Sequence, residues 1–276
     1  MIDLHTHTTM SDGQYTPSEV VYLAAQKNIS TVSITDHDTV SGIEEGSKAA
    51  REAGIEFIPG IEISVKGNKE LHILGYCVDI LNPRLNQMCE QFTLFRQQRV
   101  HRILEHLNIL GVGLTLEQVT KYADHGRIGR PHFARAMLEA GYVGGLREAF
   151  DKYLATPEFD KIERPKPDYT GGIDVIREAG GVAVLAHPAQ LKLDNESLEQ
   201  LLKDLISAGL KGIECYYSTH TKEQTIYYLS LAERFSLIVT AGSDFHGEKV
   251  KPDIKIGTSF DDKQIKQKLE RGCWDE

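Results

Sequence analysis

Ile2-Asp3-Leu4-His5-Thr6-His7 is the stretch whose reading decides the fold. In an extended segment side chains repeat every two residues, so His5 and His7 stand on one face and can converge on one cation. Further along, Asp12 sits in a Ser11-Asp12-Gly13 turn, and Asp36-His37-Asp38 closes the apolar run Thr31-Val32-Ser33-Ile34-Thr35. Glu62 ends Phe57-Ile58-Pro59-Gly60-Ile61, and His72 lies inside Leu71-His72-Ile73-Leu74. His187 terminates Val182-Ala183-Val184-Leu185-Ala186 and precedes Pro188, while Asp244-Phe245-His246 ends Leu237-Ile238-Val239-Thr240-Ala241-Gly242. Most of these imidazoles and carboxylates therefore occur where an apolar, strand-like run stops.

The runs alternate with helical signals. Thr16-Pro17-Ser18-Glu19 combines an N-cap, a proline at the first helical position and a capping-box glutamate. A strand near 31–35, a helix from Ile43 to Ala53 ended by Gly54, and strands near 55–63 and 71–77 follow. Later come a helix near 172–179, a strand at 182–186, a helix near 195–208, a strand at 211–216, a helix near 220–235, a strand at 237–242 and a last helix after Asp261. Repeated β-then-α units predict parallel strands. Polar residues at the ends of successive strands favour one shared mouth, as in a (β/α) barrel, over an open doubly wound sheet.

Between about 81 and 165 the strand signal fades. Leu94, His101, Leu104, Leu107 and Leu110 give helical periodicity, with further helical stretches near 115–124 and 132–140. The expected organisation is a barrel built from 1–80 and 166–276, carrying a helical insertion at 81–165. Thr156-Pro157 through Arg164-Pro165-Lys166-Pro167 reads as a loop returning the chain to the barrel.

A length of 276 residues suits one barrel with an insertion, and 41% hydrophobic with 26% charged residues excludes a disordered, collagenous or membrane-spanning chain. No signal-peptide pattern precedes His5, so a cytoplasmic location is expected. The four cysteines lack C-x-x-C spacing and read as reduced packing residues. A formal net charge of −9 argues against long duplex DNA as a partner, whereas bound cations can make a local pocket positive for small phosphorylated molecules. The oligomeric state is open.

An isolated histidine is more often a hydrogen-bonded core residue than a ligand. Six imidazoles with two aspartates and one glutamate are more donors than one ion uses, which points to two or three divalent ions, with Mn, Zn or Fe all compatible. Asp36 and Asp38 are placed to orient ligand imidazoles, although Asp38 reads better as a helix cap. Arg130 and His132 flank Pro131 at a helix start, where a guanidinium, an imidazole and free N–H groups can meet a phosphate. His220, in Tyr216-Tyr217-Ser218-Thr219-His220, is a candidate proton donor. His101, His106 and His125 are read as packing or surface residues, as are the tyrosines at 216, 217, 227 and 228, with Tyr216 the one expected to face the mouth.

The ordered set His5-x-His7, Asp12, Asp36-His37, Glu62, His72, His187-Pro188 and Asp244-x-His246 resembles the PHP (polymerase and histidinol phosphatase) superfamily over essentially the whole chain. Arg130-Pro131-His132-Phe133-Ala134-Arg135 and Gly180-Gly181-Val182-Ala183-Val184-Leu185-Ala186-His187-Pro188 are similar to motifs of its small stand-alone bacterial phosphoesterases. The resemblance implies a distorted, TIM-like (β/α)7 barrel of the PHP fold with a helical insertion. It assigns His5, His7, Glu62 and Asp244 to one ion, Glu62, His72 and His187 to a second, and Asp12, His37 and His246 to a third. Lys166-Pro167-Asp168-Tyr169 resembles a K-P-x-Y segment that binds phosphate or stacks on a base, although Tyr169-Thr170-Gly171 departs from the usual Y-V-P.

The activity so implied is a metal-dependent phosphomonoesterase that removes the 3′-phosphate of a nucleoside 3′,5′-bisphosphate, leaving the 5′-monophosphate. Alternatives are 5′→3′ hydrolysis of short 5′-phosphorylated single-stranded RNA, histidinol-phosphate hydrolysis, and a non-catalytic PHP scaffold. No membrane partner is expected.

Overall fold

The computed structural model describes residues 1–68, 70–122 and 128–258. Within them, seven strands form one sheet in chain order: β1 (Ile2–Thr6), β2 (Thr31–Ile34), β3 (Glu56–Ser64), β4 (His72–Tyr76), β5 (Val182–Leu185), β6 (Gly212–Tyr217) and β7 (Ile238–Gly242). The Asp244 N–H donates to the His5 carbonyl at 2.8 Å and the His7 N–H to the Phe245 carbonyl at 2.9 Å. These bonds bring the end of β7 back to β1, and the sheet becomes a nearly closed barrel.

Helices α1 (Pro17–Gln26) and α2 (Ile43–Ala53) connect the first three parallel strands. The start of α1 is local chemistry: the Thr16 side chain accepts the Glu19 N–H at 3.3 Å and Glu19 accepts the Thr16 N–H at 2.8 Å. α2 stops at Gly54, whose φ of 69° is the left-handed cap that glycine takes without a Cβ penalty.

β4 departs from the parallel pattern. It runs antiparallel to both β3 and β5. Only residues 65–71 separate it from β3, too few for the crossover that a parallel neighbour requires. Its reversal carries His72, the first residue of β4, to the end of the barrel where the parallel strands finish.

The chain folds as two compact units. One contains Met1–Cys89 and the segment from Lys166; the other is Glu90–Pro165. In the first, Ile2, Leu4, Ile58, Leu74, Tyr76, Val182, Val184 and Ala241 share a buried core. The Tyr76 hydroxyl donates to the Leu4 carbonyl at 3.0 Å, tying β4 to β1. The second contains most of α3 (Pro83–Ile109), then α4 (Leu116–Thr120), α5 (Arg130–Glu139), α6 (Leu146–Ala149), a π-helical turn at Phe150–Leu154 and α7 (Pro157–Asp160). Ile103, Leu107, Val119, Phe133, Met137, Leu154 and Phe159 fill its core.

Three sequence expectations change. Thr156-Pro157 opens α7 instead of a loop, because the Thr156 side chain accepts the Phe159 N–H at 3.2 Å and proline suits the first helical turn. The next helix, α8 (Tyr169–Glu178), begins earlier than expected because Asp168 caps it through the Gly171 N–H at 2.7 Å. Cys89 and Cys215 are free and buried, but Cys77 is disulfide-bonded and not a reduced packing residue; chain spacing does not report such a bond. The helix expected after Asp261 and the reading of His125 also fall outside them. Helices α9 (Asn195–Ser207) and α10 (Lys222–Arg234) complete the alternation. No helix among the described residues is long and apolar enough to cross a membrane.

Tyr76→Phe removes the only side-chain oxygen that makes the β4–Leu4 contact while keeping the ring. Leaving a buried carbonyl without this donor is expected to cost about 1–3 kcal/mol, read as a lower urea midpoint at unchanged slope. A midpoint equal to that of the parent protein would show the contact to be energetically idle.

Candidate metal centre

Backbone geometry carries nine side chains to one end of the barrel. His5 and His7 leave the end of β1, and Asp12 follows on a loop in which the Thr8 carbonyl accepts the Ser11 and Gly13 N–H groups, both at 2.9 Å. Gly13 is required there, since a Cβ would lie 2.4 Å from the His7 carbonyl oxygen. His37 lies just past β2 and is bridged to Glu62, on a β3 that extends beyond its neighbour. His72 starts β4, His187 follows β5, and Asp244 and His246 follow β7.

Glu62 is the hub. Its Oε2 lies 2.8 Å from His37 Nδ1, 3.3 Å from His7 Nε2 and 3.5 Å from His5 Nε2; its Oε1 lies 2.9 Å from His187 Nε2 and 3.0 Å from His72 Nδ1. Asp244 Oδ1 approaches His7 Nε2 at 3.2 Å, His246 Nδ1 at 3.3 Å and His5 Nε2 at 3.7 Å. Asp12 contacts His246 Nε2 at 3.3 Å and His37 Nε2 at 3.8 Å. Four overlapping groups have ligand atoms within 4.8 Å of one another: His7, Asp12, His37 and His246; His5, His7 and Asp244; His5, Glu62 and His187; His37, Glu62 and His72. Donors on one ion at bond lengths of about 2.1 Å are separated by up to roughly 4.2 Å, so each group is within a few tenths of an ångström of the span of a coordination sphere.

An outer layer sets which nitrogen faces inward. Glu214, wholly buried, accepts from His5 Nδ1 at 3.0 Å and from the His187 backbone N–H at 2.7 Å. His7 Nδ1 lies 3.3 Å from Ser11 Oγ, which donates in turn to Asp36; Asp36 also accepts the Thr8 N–H and hydroxyl. With the Nδ1 protons used in this way, the Nε2 lone pairs of His5 and His7 point at carboxylate oxygens. Among the described residues, both nitrogens and Glu62 Oε2 are buried with no well-formed hydrogen bond, only close approaches to one another and to neighbouring ligands. Lone pairs facing anions in a buried site call for positive charge between them, from a proton or a bound cation, and the donor set fits divalent Mn, Fe or Zn.

The charges agree. Burial would raise the Glu62 carboxyl, but His37, then His72 and His5, hold it well below the usual range. Burial would likewise depress His5, yet Glu214, Glu62 and Asp244 hold its imidazole well above its ordinary value. His72 is depressed by burial despite Glu62, which favours the neutral ligand form. Asp3 is pushed up to about 6 by burial although Ser243, Gly257 and His5 all donate to it; through Ser243 it anchors the turn carrying Asp244.

The remaining candidates lie elsewhere in the chain. In the helical unit, the Arg130 guanidinium pairs with Asp160 at 2.8 Å and lies 5.0 Å from the Phe159 ring centre, and His132 Nδ1 accepts the Gly129 N–H at 2.8 Å. Lys166 and Tyr169 are half-buried on either side of the Asp168 cap, beside a Lys66 N–H to Pro167 carbonyl bond of 2.7 Å. His220 Nδ1 meets the Cys215 carbonyl at 3.0 Å, which places the proton on Nδ1; burial depresses its imidazole. Asp38 caps no helix: it accepts the Ser64 N–H at 2.8 Å and hydroxyl at 3.2 Å, binding the β2 end to β3.

Tyr216 was the tyrosine expected at the mouth, but Tyr217 takes that place. A register shift between Glu214 and Tyr216 in the β6–β7 pairing breaks the period-two alternation there, and Tyr217 is the tyrosine that meets the ligand cluster. The Tyr217 hydroxyl donates to Asp244 Oδ2 at 2.6 Å, as does Lys251 Nζ at 2.5 Å. Sequence reading missed Tyr217, Lys251, Asp3 and the Glu214 contact; the one available signal was a carboxylate interrupting the apolar runs at Asp3 and Glu214.

The PHP domain model matches residues 3–211. The chain is 34% identical over 258 residues to a 5′-3′ exoribonuclease of Escherichia coli, covering 92% of this chain and 87% of that one. It is 32% identical over 247 residues to a 3′,5′-nucleoside bisphosphate phosphatase of Chromobacterium violaceum, covering 89% and 87%. A solved Chromobacterium violaceum structure, an amidohydrolase with bound sulfate and no metal, superposes with a TM-score of 0.81 at 31% identity, covering 98% and 96%. The chain belongs to the PHP domain family, and it is a metal-dependent hydrolase of phosphate esters.

Gly242 lets β7 approach β1, since a Cβ there would lie 2.1 Å from His5 Cβ and 2.6 Å from Glu214 Oε1. Gly242→Ala is expected to displace His5 and weaken metal binding by about 10–100-fold, the scale of losing a ligand's supporting contact. Competition with a chromophoric chelator measures this, with circular dichroism confirming the fold; unchanged affinity would remove His5 from the ligand set.

Proposed function

We propose that this PHP-family hydrolase removes the 3′-phosphate of nucleoside 3′,5′-bisphosphates, giving the 5′-monophosphate and inorganic phosphate. The observation that carries the metal-dependent part is the set of buried, inward-facing imidazole nitrogens around Glu62. The substrate rests on likeness to the Chromobacterium phosphatase. Two or three divalent ions are proposed, held by His5, His7, Asp12, His37, Glu62, His72, His187, Asp244 and His246.

Such ions would draw charge from phosphoryl oxygens and make water nucleophilic near neutral pH. The chain's own work is placement. Glu214 and Ser11 fix the ring orientation of His5 and His7, and Asp3 and Tyr217 hold the Asp244 turn. A cysteine nucleophile is disfavoured, because Cys215 is buried and burial, then Glu214, push its thiol far up. His220, with its Nδ1 proton engaged, presents Nε2 as an acceptor and is a poor proton donor in its neutral form.

A second reading, 5′→3′ hydrolysis of short 5′-phosphorylated RNA, is favoured by the 34% identity to the Escherichia coli exoribonuclease. The same donor cluster serves a phosphodiester as well as a monoester. The scaffold alternative is set aside, since the relatives matched over most of the chain are named as hydrolases and all nine donor positions are filled. Arg130, His132, Lys166 and Tyr169 remain the proposed contacts for the non-reacting part of the substrate.

Mn²⁺-reconstituted protein incubated with adenosine 3′,5′-bisphosphate is expected to yield 5′-AMP and phosphate, identified by chromatography, and Asp244→Ala to abolish the reaction. No turnover by fully metallated protein would sink the substrate assignment; release of mononucleotides from 5′-phosphorylated oligoribonucleotides would establish the second reading. Arg130→Ala is expected to lower kcat/KM for the bisphosphate by roughly 10–100-fold, the worth of a charge-assisted hydrogen bond, while sparing an aryl phosphate. Equal losses on both substrates would count against the contact.

A further inference from the structure

Asp244 presents its two oxygens to different surroundings. Oδ1 faces the imidazoles of His5, His7 and His246. Oδ2 faces away from them and receives two donors, the Tyr217 hydroxyl at 2.6 Å and Lys251 Nζ at 2.5 Å. We propose that Tyr217 and Lys251 are positioning residues that together occupy Oδ2 and so make Asp244 a one-oxygen metal ligand, keeping a coordination position open for water or a phosphoryl oxygen.

Both donors are built into place. The Tyr217 oxygen accepts from Gln190 Nε2 and therefore turns its own proton to Asp244. Gln190 lies on the short 3-10 turn Pro188–Leu191 that follows His187, so the same contact joins two ligand-bearing turns. Lys251 returns to Asp244 from seven residues downstream. The turn is closed by the Gly247 carbonyl, which accepts the Val250 N–H at 3.1 Å and the Lys251 N–H at 2.9 Å, with Gly247 at a φ of 91°. Gln14 holds that turn from the Asp12 loop, its side chain accepting the Lys249 N–H at 2.8 Å and its N–H meeting the His246 carbonyl at 2.7 Å.

The chemical consequence is specific. A carboxylate with both oxygens free can chelate an ion and consume two coordination positions. An open position is what separates catalytic from structural metal sites. Either donor alone can hold Oδ2, so the two act as a unit and their effects are expected to be non-additive.

The inference rests on metal binding at the Glu62 cluster and is independent of which phosphate ester is the substrate, so its test is read without substrate. Co²⁺-loaded protein reports coordination number through its visible absorbance, which weakens as ligands are added. Tyr217→Phe and Lys251→Met singly are expected to leave absorbance per bound ion near that of the parent protein; the double variant is expected to lose it as Oδ2 coordinates. Lys251→Arg combined with Tyr217→Phe should restore the parent spectrum. A double variant that binds Co²⁺ with the parent spectrum overturns the proposal, as does a loss that merely sums the single effects. Tyr217→Phe with Lys251→Ala, which keeps the buried ring and shortens only the partly exposed lysine, gives the same reading where the first pair fails to fold.

Discussion

Glu62 is a fully buried carboxylate with five imidazole nitrogens within 3.5 Å, and the barrel is arranged around making that possible. A buried charge without partners costs several kcal/mol, so its surroundings must supply compensation. β3 does this by changing neighbours along its length. Residues Glu56–Pro59 pair with β2, and Gly60–Ser64 pair with β4, so Glu62 projects past the end of β2 into the mouth. Reversal of β4 then delivers His72 from a strand start, while every other ligand arrives from a strand end or the segment following one.

Around this hub a second set of carboxylates is spent on orientation. Asp3, Asp36, Asp38 and Glu214 are each buried and each accept a backbone N–H. They hold the turns that bear Asp244, Asp12, His37 and His187. The backbone is distorted in the same places: Asp38, His187 and Asp244 have φ values of 56°, 24° and 58°, unusual for residues other than glycine. Strain of this kind persists only where neighbouring bonds over-determine the conformation. Here the Ser64–Asp38, Glu214–His187 and Asp3–Ser243 bonds supply that constraint.

Legibility in the sequence followed the range of the physics. The donor residues were visible because apolar runs ending in His or Asp leave a local trace, and the α1 start because a capping box spans four residues. The direction of β4 depended on how few residues separate it from β3, and the helical alternation elsewhere masked it. His72 looked misplaced within its run for that reason alone. Tyr217 was hidden by the bulge near Cys215, since period-two counting from Glu214 selects Tyr216. Lys251 gave no sequence signal, because its route to Asp244 depends on the Gly247 turn and on Gln14, more than two hundred residues away along the chain.

The charge balance of the site also bears on how an acidic chain handles an anionic substrate. With neutral imidazoles, Asp12, Glu62 and Asp244 give the ligand cluster a charge of −3; beside it, Glu214 adds a negative charge and Lys251, on Asp244, a positive one. In that state a phosphate is repelled. Divalent ions reverse the sign locally: two bring the three inner carboxylates from −3 to +1, and a third to +3. Substrate affinity is therefore tied to metal occupancy, and by linkage a bound phosphate must tighten the ions in equal measure. A protein with a formal charge of −9 can thus attract phosphate esters at one mouth, where bound cations set the local sign.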